Sequence, residues 1–356
     1  MRMNTTPPTR CGMLGCLIAI SLTASLTVAA APQSETFRLD DDRSWTQTDA
    51  PEPGTDEAVI ADARRELAAD RPGEAKRILD RWLDENETGE SPWLAAALRL
   101  RGDALLAKDK EFLALYDYEQ VILEFPGSEE FRTAVEREVE IAKAYARGLK
   151  IRAFGIRLLS AGDIAIELFI RAHERLPGSD VAEEALIELA DFFYRNRQMT
   201  LAAESYDMYL VNYPTGPNRV KAQRRRIYAD ISRYKGPEYD ASSLIDARVQ
   251  IERYMERYPA AAAQDGLDAE LIERIDESLA AQMLEAAEWY LGRGDGPSAR
   301  YTLQRMLAEY PDGPPADRAR QILEQRGWST DVPGTETPAA APSDSDATDG
   351  ESEAPE

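Results

Sequence analysis

Cysteine and histidine are nearly absent. Of 356 residues, two are Cys and one is His. Cys11 and Cys16 both stand at the extreme N-terminus, so a disulfide framework, a thiolate zinc site and a catalytic Cys are excluded from the rest of the chain. His173 alone excludes a multi-His metal site within one chain, and it is the only His that a nucleophilic triad could use. Cations are scarce against anions: 42 Lys plus Arg face 65 Asp plus Glu, for a net charge of -23. Phosphate binding needs a basic footprint, so nucleic acid is excluded as the main partner. No His-Glu-x-x-His, calcium-loop or nucleophile-elbow pattern occurs. The expectation is a protein without cofactor, metal or catalytic residue.

Long apolar runs are confined to one place. Met13 to Val28 carries no charge, follows a start containing Arg2 and Arg10, and leads into Ala29-Ala30-Ala31. That is the form of a secretory signal or of an uncleaved N-terminal anchor, over residues 1–30. Met13-Leu14-Gly15-Cys16 has the outline of a lipoprotein cleavage box, but the apolar run follows Cys16 instead of preceding it. Residues 31–56 show no helical periodicity and read as a flexible linker. Residues 329–356 hold eight acids and no Lys or Arg, and read as a disordered acidic tail.

Between these ends the chain repeats itself. Phe125-Pro126, Leu176-Pro177, Tyr213-Pro214, Tyr258-Pro259 and Tyr310-Pro311 recur. Twelve residues before each Pro stands Ala114, Ala165, Ala202, Ala247 or Ala299. Eight residues before it stands Tyr118, Phe169, Tyr206, Ile251 or Leu303. A weaker first copy has Ala75 and Leu79. Twelve residues before the Ala series runs a second small series, Ala63, Gly102, Ala153, Ala190 and Ala287. The fifth repeat breaks it with a Lys235-Gly236-Pro237 loop, and Ala229 takes the place if six residues are inserted.

Small residues on two antiparallel helices let their axes approach. The bulky residue four positions later lies on the same face and fills the seam to the next repeat. Pro stops the second helix, because the residue before it avoids helical geometry. A hairpin with two apolar faces cannot bury itself alone, so neighbours must stack. The spacing resembles the tetratricopeptide repeat. It implies an all-α fold of helical hairpin repeats in a right-handed superhelix, six repeats over residues 57–328. In the third repeat the counting predicts a long lead-in helix from about Glu129 to Leu159, unless Gly148 and Gly155 interrupt it.

A narrower resemblance follows over residues 178–325. Tyr213-Pro-Thr-Gly-Pro217 with Ile227-Tyr228-Ala229, and the stretch Arg274 to Asp312 with Leu279-Ala280, Glu285, Ala287, Tyr290, Arg293-Gly294 and Ala299, are similar to the BamD-type outer-membrane assembly lipoproteins. The resemblance implies a non-enzymatic scaffold exported to the periplasm, associated with the outer membrane directly or through a partner. Its implied partners are envelope proteins, the barrel-insertion protein among them, and its implied role is to help outer-membrane β-barrels assemble. An adaptor linking cell-wall or division machinery to the outer membrane is the competing reading. As a departure, Leu303 stands where the family resemblance leads one to expect a partner-contacting Arg.

Partner-binding candidates fall in two groups. In the repeat family the first helices line the groove. Counting from the small residue puts Arg99, Asp103, Lys150, Arg157, Glu184, Ile187, Asp191, Tyr194, Arg195, Leu284 and Glu288 there. The Lys and Asn clamp of the cytosolic co-chaperone type is replaced by Arg99, Asp103, Ile187 and Asp191. The basic run Arg219, Lys221, Arg224, Arg225 and Arg226 either docks an acidic partner or anionic lipid, or pairs with nearby carboxylates of the chain itself. His173 reads as structural, and Gly292-Arg293-Gly294-Asp295-Gly296-Pro297 as a hairpin turn.

Overall fold

The computed structural model describes residues 36–39, 45–48, 51–86, 91–153 and 156–331. The expected signal or anchor and the acidic tail from residue 332 onward lie outside the described residues. Two compact units divide after Ala58. The first holds an antiparallel ladder of β1 (Thr36–Leu39) and β2 (Trp45–Thr48), with Thr36 opposite Thr48, inside the stretch read as a linker.

The second unit is helical. Its helices are α1 (Asp56–Ala68, entering from the first unit), α2 (Pro72–Glu85), α3 (Leu94–Leu106), α4 (Glu111–Glu124), α5 (Glu130–Ala146), α6 (Gly162–Arg175) and α7 (Asp180–Arg195). Then come α8 (Met199–Asn212), α9 (Arg219–Arg233), α10 (Ser242–Arg257), α11 (Pro259–Asp265), α12 (Ala269–Gly292), α13 (Gly296–Glu309) and α14 (Pro314–Gln325). Each helix from α2 to α10 packs on the next, as sequential hairpins do. α12 packs on α10 and on α13, and α14 closes against α12 and α13. Among the described residues no helix is long and apolar enough to cross a membrane.

The signature residues lie where close approach is needed. Ala63, Ala75, Ala114, Ala165, Ala190, Ala202, Ala247, Ala287 and Ala299 are all completely buried. So are the fillers Leu79, Tyr118, Phe169, Tyr206, Ile251 and Leu303. At Gly102 even a methyl group is too much: a Cβ there would stand 2.6 Å from Tyr118 Cε1. Ahead of Pro126, Pro177, Pro214, Pro259 and Pro311 the helix stops at a capping residue (Phe125, Leu176, Tyr213, Tyr258 or Tyr310) with φ between -126 and -134° and ψ between 51 and 78°. This is the non-helical geometry that proline imposes on its predecessor. Pro259 does double duty, ending α10 and standing at the first position of α11.

Four hairpin turns share one design. Asp70, Asp109, Arg197 and Gly294 all have positive φ, between 55 and 77°. Each is flanked by the same two bonds, as in Lys110 N–H to Leu105 O at 3.0 Å and Asp109 N–H to Leu106 O at 2.9 Å. These are Schellman closures, which satisfy carbonyls that the helix end leaves free. Asp295 then caps α13 by accepting from Ser298 N–H at 3.1 Å.

The third repeat corrects the sequence reading. The lead-in helix does not run to Leu159: α5 ends at Ala146, where Gly148, with φ at 102°, makes the same closure. Leu149 N–H bonds to Ala144 O at 3.0 Å, which puts Ile141, not Ala153, at the small-residue position. Ala153 belongs instead to β3 (Ile151–Ala153), which pairs antiparallel with β4 (Ile156–Leu159). Counting twelve residues back from Ala165 landed in an insertion. Lys150 and Arg157 therefore sit at and in this β-hairpin and not on a groove-lining helix. In the fifth repeat Ala229 is completely buried on α9, and residues 234–241 form the inserted link to α10.

The apolar interior forms three clusters. The largest runs from Ile60 to Ala229, a second joins α9, α10 and the start of α12, and a third joins the end of α12 to α13 and α14. α12 spans the last two: Ile275 and Leu279 serve one, Ala280 and Ala287 the other.

Candidate functional site

In two repeats the aspartate that follows the small residue of the first helix is a joint to the next repeat. In the second repeat Tyr118 Oη donates to Asp103 Oδ1 at 2.8 Å. Arg137 Nε, from α5 of the next repeat, donates to the same oxygen at 3.1 Å. The fourth repeat does likewise. Tyr206 Oη donates to Asp191 Oδ1 at 2.6 Å, and Arg225 of α9 reaches that oxygen too. Both tyrosines lie 15 residues after their aspartate and both arginines 34 after it. The sixth repeat keeps the ion pair alone, with Arg318 of α14 3.5 Å from Glu288.

The second oxygen of each aspartate takes a different cation. Arg99 donates to Asp103 and also to Glu130 of α5. Lys221 Nζ stands 2.6 Å from Asp191 Oδ2. Burial would raise the Asp191 carboxyl, but bonds from Lys221 and Tyr206 and the charges of Lys221 and Arg225 outweigh it and hold it below its ordinary value. Burial pushes Tyr206 and Tyr118 upward, and the aspartate each one bonds adds to that, so both stay donors.

The basic run is therefore engaged within the chain. Arg224 Nη1 donates to Asp265 Oδ1 at 2.8 Å, where Tyr254 Oη also donates at 3.0 Å to Oδ2. Arg226 donates to Asp207 of α8, and Arg219 Nη1 donates to the Pro214 carbonyl at 2.7 Å. None of Arg219, Lys221, Arg224, Arg225 and Arg226 is exposed. Lys221, Arg224, Arg225 and Arg226 thus meet carboxylates of the chain itself, and Arg219 meets a backbone carbonyl. Tyr194 is half-buried, with the Arg225 guanidinium 5.4 Å over its ring, while Arg195 is exposed. Ile187 is buried, Leu284 packs against the last core cluster, and Glu184 pairs with Lys143.

A second joint links α4, α5 and α6. Arg175 Nη1 donates to Glu138 Oε2 at 2.7 Å, and Nη2 donates to both Glu119 oxygens at 2.7 and 2.8 Å. Glu138 is 1% exposed. Burial pushes its carboxyl up to about 8 against the pull of Arg175. Glu119 is held below the usual range, because Arg175 and Arg171 outweigh its burial. His173 packs edge-on to Tyr213, ring centroids 6.4 Å apart. Among the described residues no cluster of His, Cys, Asp or Glu is placed to hold a metal.

The surface candidate that sequence reasoning missed is Trp289. It is 53% exposed, and the Arg293 guanidinium stands 4.0 Å from its ring centroid. It rims a cleft of about 360 Å³ with Tyr290, Glu285, Gln282 and Ala286 of α12 and Pro237 and Glu238 of the inserted link. Exposed Trp beside Arg is the composition of an interface anchor. The signal was present in Trp289-Tyr290 and in the insertion, but the periodic reading assigns the neighbourhood of Ala287 to the core.

Among solved structures, the C-terminal part of a TPR repeat-containing protein from Cytophaga hutchinsonii is similar to 75% of this chain and 88% of its own, at 16% identity and a TM-score of 0.37. No curated protein matches the chain. Residues 155–327 match the family model YfiO, described as outer membrane lipoprotein, and this span contains all of the stretch 178–325 in which the BamD-type resemblance was read.

Proposed function

We propose that this protein is a non-enzymatic scaffold of the bacterial envelope, associated with the outer membrane, that holds partner proteins during assembly or insertion of outer-membrane β-barrels. The observation that carries this reading is the YfiO family match over residues 155–327. The architecture agrees with it. Tyr–Asp–Arg joints fix successive hairpins against one another, which suits a rigid platform. The polar groups of those joints are used internally, and the Trp289 cleft within the matched span offers a partner an exposed aromatic ring beside a cation.

Depletion of the protein in its own bacterium tests the role. Folded outer-membrane barrels, followed by their heat-modifiable migration, should fall while periplasmic proteins stay level. Unchanged barrel levels with altered cell shape or septation would favour the adaptor reading and retire the assembly role.

A further inference from the structure

The chain leaves its last helix beside a cleft that holds a cation and no acid. The cleft, about 370 Å³, lies against α13 and is lined by Gly296, Pro297, Arg300, Tyr301 and Gln304 together with Trp328. One of its walls is the exit itself. A closure at Gly327, with φ at 67°, turns the chain after α14, and Trp328 N–H donates to Leu323 O at 2.9 Å. The Trp328 ring then lies over Gly296, where a Cβ would stand 3.4 Å from Cζ2. Gln304, itself buried, donates from Nε2 to Ser329 O at 2.6 Å. The residues after Asp331 therefore start at the rim of the cleft. Arg300 waits inside it: its Nε is buried without a hydrogen-bond partner, and no carboxylate among the described residues pairs with it. The exposed Arg326 stands 5.6 Å from the Trp328 ring centroid.

Composition narrows what fills it. Residues 332–356, which lie outside the described residues, hold seven acids, four prolines and no Lys or Arg. Carboxylates suit the unpaired Arg300 and the nearby Arg326. Prolines suit a groove walled by aromatic rings, here Trp328 and the 56% exposed Tyr301. Elsewhere charge works against such a segment: the clefts beside Asp180, beside Glu270 and beside Trp289 are each lined by two or more acids. Glu336, the first acid after Asp331, is within about 17 Å of extended chain from it. A tether that short holds the segment at an effective concentration on the order of millimolar. We infer that this cleft is the docking site of the chain's own acidic, proline-bearing C-terminal segment, and that Glu336 is the carboxylate that takes Arg300.

The test uses the full chain with Cys11→Ser and Cys16→Ser, carrying a nitroxide on Thr337→Cys and read by electron paramagnetic resonance. At low salt the docked label should give broadened lines, which sharpen as added salt screens the ion pair. Arg300→Gln should release the label, lowering the docked-to-free ratio about tenfold, the scale of one charge-assisted hydrogen bond. Glu336→Gln should do the same, and the two changes together should add little to either alone. Tyr301→Ala, which removes an exposed ring and leaves Arg300 in place, should also release it. Lines already sharp in the parent at low salt would overturn the proposal, as would broad lines that survive Arg300→Gln, Glu336→Gln or Tyr301→Ala. So would broadening that grows with protein concentration, which would make the segment of a second copy the occupant.

Discussion

Arg137 reaches back 34 residues to donate to Asp103 Oδ1 at 3.1 Å, one repeat period away. Because Tyr118 bonds the same oxygen, a single carboxylate ties together both helices of one hairpin and the first helix of the next. Asp191, Tyr206 and Arg225 repeat the arrangement. Hydrophobic stacking alone would let hairpins slide over one another. A buried, fully partnered charge allows one register.

Replacing that charge should therefore be costly. Asp191→Asn leaves Lys221 and Arg225 facing each other without a counter-charge, and should lower stability by about 3 kcal/mol. In a double-mutant cycle with Arg225→Gln the two losses should fall short of additivity by at least about 0.5 kcal/mol. Chemical denaturation monitored by circular dichroism measures both. The Asp191 contribution should also be present above the unfolded-state pKa and lost as pH falls through its depressed folded value.

Gly102 is set by the ring above it. Gly102→Ala should destabilise by about 1–3 kcal/mol, because Tyr118 must move and weaken its bond to Asp103. In a Tyr118→Leu background the same Ala should cost far less, since Ala63 with Leu79 and Ala287 with Leu303 are combinations this chain already uses. Thermal unfolding of the four proteins decides it.

Glu138 gives the joint of α4, α5 and α6 a pH dependence of opposite sign to Asp191. Its folded carboxyl is raised from 4.5 to about 8. Below the unfolded value both states are protonated and nothing is lost. As pH rises from 4.5 toward 8 the unfolded chain ionises first, and stability falls. Glu138→Gln should remove this slope, so that the variant's advantage over the parent grows across that window by roughly 1–3 kcal/mol. Parallel pH series of melting curves would show it; a constant difference would mean that Glu138 is not the group titrating.

The spacing of Ala, bulky residue and Pro made most of the helical stack legible, because each acts locally: the methyl permits approach, and the Pro fixes its predecessor. The third repeat was misread for a physical reason. A Schellman closure at Gly148 ends α5 without a Pro, and the inserted hairpin placed Ala153 twelve residues before Ala165 by coincidence of count. The basic run offered two readings because charge partners lie on other helices. Only the fold reveals that Arg225 and Lys221 converge on Asp191, although the offset of 34 between Asp103 and Arg137 recurs in the sequence. Trp289 was missed because exposure on α12 depends on where the link 234–241 lies, which no periodicity encodes.

Trp289→Ala should leave stability within about 0.5 kcal/mol of the parent, as exposed positions do. It should nonetheless reduce capture of the partner, because exposed aromatic anchors carry a large share of interface energy. Loss of both fold and capture would make Trp289 a packing residue instead.

The most direct test of the scaffold claim is affinity purification of the tagged protein from cross-linked, detergent-solubilised envelopes, with mass spectrometry of what accompanies it. The account predicts enrichment of the barrel-insertion protein, diminished by Trp289→Ala. Recovery of cell-wall or division proteins in its place would contradict the assembly role.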